Sequence, residues 1–200
     1  MTESRRVQLV GVMCLTVTAV MLAEPVIALA EPIGTDTANR AIVRSAKWPV
    51  FCWCFGWLVV LARPDPRTGV NFVPRFDWSL GCVLCWVHIA VAFHLGHGWS
   101  HELAWEHTRQ VGGFGDGIFV NYMFALVWLA DVLWAWVAFD SYLARPGWLK
   151  WTIHGFIAFV VVNAAVVFGT WSSRGTFFAF FLGILAGVVV VKRRERRPLT

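Results

Sequence analysis

Apolar runs of helical length alternate along this chain with short stretches rich in charge, proline and glycine. The runs are Val7 to Ala30, Trp48 to Ala62, Trp78 to Leu95, Gly117 to Phe139, Trp151 to Trp171 and Thr176 to Val191. The second is short and is expected to begin within Ala41 to Lys47, with Pro49 near its entry. A helix rises about 1.5 Å per residue, so about 20 apolar residues cross a hydrocarbon layer of about 30 Å. Arg63-Pro64-Asp65-Pro66-Arg67 and Arg145-Pro146-Gly147 cannot continue a helix and separate neighbouring runs. The pattern predicts an all-α, polytopic transmembrane helical bundle of five or six spanning helices, a single membrane-embedded domain over residues 1–200.

The first run has two readings. Residues 1–30 form an uncleaved first spanning helix, the reading preferred here. Alternatively Arg5-Arg6, the apolar stretch and Ala28-Leu29-Ala30 compose a cleaved signal peptide with an A-x-A site. Orientation follows from Lys and Arg, which favour the inner side. With the N-terminus inside, twelve cations fall inside, among them Arg5, Arg6, Arg75, Arg145, Lys150 and the Lys192 to Arg197 cluster. Five fall outside: Arg40, Arg44, Lys47, Arg109 and Arg174. The expectation is therefore N-in, C-in, in a plasma membrane or a bacterial inner membrane. The three cations before the second run oppose it.

Composition agrees with the pattern. Hydrophobic residues make up 58% of the chain and charged residues 14%, against about 25% charged in an average soluble chain. A soluble core of this size has no room for so much apolar surface, whereas lipid solvates the outside of a bundle. Thirteen Trp residues fit headgroup interfaces. The net charge of +5 is carried in clusters at the run ends, so the bilayer and not nucleic acid is the expected partner. The five Cys all lie in apolar runs, which argues for packing over a disulfide framework. Cys52 is placed near the outer face and Cys82 near the inner one, too far apart to join.

The longest outer connection, residues 96–116, is rich in His and Gly and holds most of the candidate chemistry. Ser100 to Gln110 is expected to form a short interfacial helix with Ser100 as its cap. If the third helix continues past Leu95, His94, His97 and His101 are related as i, i+3 and i+7. At about 100° per residue they lie within about 60° of one another. With Glu102, Glu106 and His107 as auxiliary ligands, such a face suits Zn, Cu or Fe. Inside the membrane, His88, Asp131 and Asn163 are expected at depths that agree within roughly 6 Å. They would form a buried polar pair of His88 and Asp131 with Asn163 hydrogen-bonded beside it, either as interhelical glue or as a relay. Haem b between His side chains is a further cofactor reading, weakened by the unequal depths of His88 and His154. Gly183 and Gly187 supply a small-xxx-small packing face, within the chain or toward a homo-oligomer or complex partner.

Three functions follow as expectations. The first is a membrane protein binding a divalent transition metal at the outer His cluster. The second is a haem-binding electron-transfer subunit, and the third a non-catalytic assembly or scaffold subunit. No residue pattern assigns a catalytic role: the glycines of 112–117 follow no strand and precede no Lys-Ser/Thr pair, so they make no nucleotide loop.

Overall fold

Helices are used throughout the described residues, an arrangement that satisfies backbone amides within each segment, as a bilayer would require. The computed structural model describes the backbone of residues 3–61 and 72–167, with isolated helical positions between 175 and 189. Side chains are described for 16–57 and 75–165 and for those isolated positions. The expected sixth run, the Arg63 to Arg67 connection and the Lys192 to Arg197 cluster lie wholly or largely outside these residues.

The order is α1 (Glu3–Ala28), α2 (Asp36–Ser45), α3 (Lys47–Leu61), α4 (Phe72–His97), α5 (His101–Gly112), α6 (Gly117–Val137), α7 (Phe139–Ala144) and α8 (Gly147–Val167). Among the described residues, three segments are long and apolar enough to cross a membrane: Arg75–His97, Gly117–Val137 and Gly147–Ala165. In α1 the described apolar stretch is the shorter Thr16–Ala28.

Two features explain why the second run is short. Thr35 caps α2 by accepting from the Ala38 amide at 3.2 Å, and Asp36 and Arg44 sit at the ends that favour their charges. Pro49 then has no N–H for the Ser45 carbonyl, and the helix breaks after Ser45. The three cations that opposed the orientation thus belong to an amphipathic helix and the first residue after its break. Arg40, Arg44 and Lys47 point outward while Ala38 and Ser45 are buried.

Together α2 and α3 run antiparallel along the whole of α4. Ala38 lies with Val91 and Leu95, Ser45 bonds to His88, Cys52 packs with Leu80 and Leu84, and Gly56 meets Asp77. The steps from Ala38 to Ser45 to Cys52 are heptad steps, the spacing that keeps one seam facing a partner helix. Small residues allow the close approach. A Cβ on Gly81 would stand 2.9 Å from the Trp128 ring and 3.0 Å from the Cys52 Cβ. The central helix α4 thereby touches α1, α2, α3, α5 and α6, and α8 packs on α6. Trp53, Cys54, Cys82, Phe124, Trp128 and Ile157 build the core that joins α3, α4, α6 and α8.

This register corrects the placement of the cysteines. Cys52 and Cys82 do not lie at opposite faces. Because α2 extends the second run backward, Cys52 falls near the middle of the α2–α3 pair and level with the middle of α4. Cys52, Cys54, Cys82 and Cys85 are all buried and free, as core packing requires.

Candidate functional site

The most developed polar constellation surrounds Asp131, one and a half turns before the end of α6. The helix stops at Ala138, which leaves helical geometry (φ −137, ψ 63), and α7 doubles back beneath it. Arg145 is extended (φ −57, ψ 141), as the residue before Pro146 must be, and its side chain returns to the bundle. Arg145 Nη1 donates to Asp131 Oδ1 at 2.6 Å, with side-chain exposures of 5% and 0%. Trp78 Nε1 on α4 donates to Asp131 Oδ2 at 2.9 Å and the Tyr142 hydroxyl to the same oxygen at 3.2 Å. One carboxylate thus ties α4, α6, α7 and the lead-in to α8 together.

Aromatic rings close the site. The Arg145 guanidinium lies 3.7 Å from the Tyr142 ring centroid, a cation–π contact. His154 of α8 is packed edge-on between Trp57 at 5.4 Å and Trp78 at 5.1 Å. Arg145 Nη2 stands 3.3 Å from His154 Nε2. A guanidinium only donates, so Nε2 accepts and the ring proton sits on Nδ1, a buried atom without a hydrogen-bond partner among the described residues. Burial and the neighbouring Asp131 charge push the Tyr142 phenol up to about 12. The arrangement holds charge in a fixed place; a haem macrocycle on His154 would have to displace two indoles.

The expected contact of His88 with Asp131 and Asn163 is not formed. His88 Nδ1 bonds to Ser45 Oγ at 2.9 Å, Asp131 is occupied as above, and Asn163 is exposed. The reason is where α4 begins. It starts at Phe72, not near Trp78, and the added residues lower the helix by about 9 Å. Trp78, and not His88, is therefore level with Asp131. Arg145 and Tyr142 were legible only as connection residues, and nothing local shows that the connection folds back.

The same early start brings in Asp77 and Arg75. Asp77 is buried against Gly56 and Cys52, with Oδ2 unpartnered among the described residues. Arg75 donates to the Ala135 carbonyl at 3.3 Å and lies over the rings of Phe139 and Trp136. An Asp two residues after an Arg in an apolar run was the available signal.

At the opposite end, the chain reverses through Gly98 (φ 52) and Trp99 (φ 63). A left-handed tryptophan is strained; the Trp99 amide bonds to the Phe93 carbonyl at 2.9 Å and Ser100 to that of His97 at 2.9 Å. Ser100 caps α5 through the Leu103 amide, as the sequence predicts. The turn folds α5 back so that the His97 and His107 rings approach to 5.3 Å. The other expected ligands have separate partners. His94 accepts from Trp99 Nε1 at 3.2 Å, and His101 Nδ1 pairs with the Tyr122 hydroxyl at 2.9 Å. Glu106 accepts from Arg109 at 2.6 and 2.8 Å and from Gln110 at 2.8 Å, bonds that hold its carboxyl down at about 2. Glu102 is exposed in the first turn. Among the described residues no three His, Cys, Asp or Glu side chains converge as a metal site.

Gly183 is helical and exposed, and a Cβ there would meet nothing within 4 Å among the described residues; Gly187 is helical and half-buried. No family model, curated protein or solved structure matches the chain.

Proposed function

We propose that this chain is a non-catalytic assembly subunit of a plasma or bacterial inner membrane, polytopic with five or six spans, N-in and C-in. The observation that supports the reading is the use made of Asp131. The fully buried carboxylate takes donors from Trp78, Tyr142 and Arg145, so it braces the protein's own helices. A bundle braced in this way presents fixed outer faces to a partner. Gly183, exposed among the described residues, with Gly187 one turn on, is the face that would receive a neighbouring helix. The test is mild-detergent purification of the full chain from its native membrane. A stoichiometric membrane partner or a second copy is expected, lost in Gly183→Leu. A monomeric, partner-free wild-type chain would end the reading.

One observation favours a second reading, metal binding at the outer end. Two imidazoles bound to one tetrahedral ion place their ring centres about 5 Å apart at Zn–N bonds of about 2.0 Å, close to the separation of His97 and His107. His94, His101, Glu102 and Glu106 would then contribute only after rearrangement. Elemental analysis of protein never exposed to chelator is the check. Near-stoichiometric Zn, Cu or Fe that falls in both His97→Ala and His107→Ala is expected, and metal-free wild-type protein would remove the idea.

A further inference from the structure

The outer ends of α1 and α2 enclose a groove of about 570 Å³ whose lining is part apolar and part charged. Val20, Ala23 and Ile27 on α1 form an apolar stripe along it, with Val20 and Ile27 60% and 69% exposed. Beside this stripe the lining is charged, with Glu24 on α1 and Glu31 in the turn after it, together with Arg40 and Arg44 on α2. Glu24 is already engaged, accepting from Trp48 Nε1 at 3.2 Å and lying 3.8 Å from Arg44. Glu31 lies seven residues further on, in the turn after α1. Neither it nor Arg40 has an ion-pair partner among the described residues.

We propose that this groove binds a zwitterionic aminophospholipid, one with an ethanolamine headgroup. The match is one of charge sequence and shape. An acyl chain lies along the apolar stripe of Val20, Ala23 and Ile27. The phosphate sits between Arg40 and Arg44, one helical turn apart, and the terminal ammonium reaches Glu31. An anionic headgroup such as phosphatidylglycerol satisfies the arginines but leaves Glu31 unpaired and repels it. Phosphatidylcholine carries the positive charge but has no N–H to donate to that carboxylate. Trp48 beside Glu24 fits an indole at headgroup level. The site requires α1 to remain on the mature chain and the bundle to be membrane-embedded; it does not depend on the assembly reading.

The experiment reconstitutes the full chain in bilayers of equal phosphatidylethanolamine, phosphatidylglycerol and phosphatidylcholine, then weighs the retained lipid by native mass spectrometry. The phosphate is common to all three lipids, so selectivity rests on the ammonium and Glu31; a surface charge pair is worth up to about 1 kcal/mol, so enrichment of the ethanolamine lipid by about fivefold over the bulk is expected. Glu31→Gln should return the ratio toward the bulk and Arg40→Gln should lower the total lipid retained, whereas Arg109→Gln, outside the groove, should leave both unchanged. Bulk composition or phosphatidylglycerol enrichment on the wild type would overturn the proposal. So would unchanged retention in both groove variants, an equal loss in Arg109→Gln, or an intact mass lacking residues 1–30. The wild-type ratio decides the matter even if a variant is unstable, and loss of a protein partner with lipid enrichment intact would sink only the assembly reading.

Discussion

Removing the charge from Asp131 is the sharpest test of how the bundle is held. The carboxylate and the Arg145 guanidinium are 0% and 5% exposed and 2.6 Å apart, so neither has water to fall back on. Breaking a buried pair by changing one partner costs about 3–5 kcal/mol, because the other charge is left uncompensated. Asp131→Asn keeps an acceptor for Trp78 and Tyr142 but strands Arg145, and Arg145→Gln strands Asp131. If the two losses were independent, the double variant would lose about 6–10 kcal/mol. With both charges gone nothing is stranded, and the double variant should lose less than that sum by at least about 3 kcal/mol. The assay is reversible unfolding of the four proteins in mixed micelles, read as a double-mutant cycle. Additivity within about 0.5 kcal/mol would refute the ion pair and with it the picture of α4, α6, α7 and α8 tied at one carboxylate.

Other outcomes follow from single contacts. Ser45→Ala should cost about 1–3 kcal/mol by leaving His88 buried without its partner, and Ser45→Thr, which restores a hydroxyl, should recover part of it. Gly81→Val should destabilise the bundle by about 1–3 kcal/mol through overpacking, since Trp128 and the Cys52 Cβ already stand at contact distance; a wild-type melting temperature would mean that α4 does not approach α3 and α6 so closely. In Tyr122→Phe the one remaining tyrosine, Tyr142, should ionise near pH 12 by ultraviolet titration, and ionisation near pH 10 would place it in water. Glu106 should titrate near 2 by carbon NMR and return toward 4.5 in Arg109→Ala. Because its folded value is depressed, its contribution to α5 is complete above about 4.5, shrinks as pH falls toward 2 and is gone below it.

The periodic facts of this protein were legible in the chain. Apolar length and proline–glycine punctuation located the helices to within a few residues at Gly117–Val137, and the Ser100 signal located the cap of α5. These are local properties, set by backbone hydrogen bonding and by what lipid will solvate. Pairing across space was a different matter. The partner of Asp131 is a residue of the connection, delivered by a short helix that doubles back, and the partner of His88 sits on an amphipathic segment that read as misplaced loop cations. A start six residues earlier in α4 moved every depth by about 9 Å, enough to exchange His88 for Trp78 beside the buried carboxylate. The sequence by itself determined an all-helical chain with segments long and apolar enough to cross a membrane, because hydrophobic length is additive along the chain. Only the tertiary structure decided which polar groups meet, because a helix offset of two turns leaves its composition unchanged while replacing every one of its neighbours.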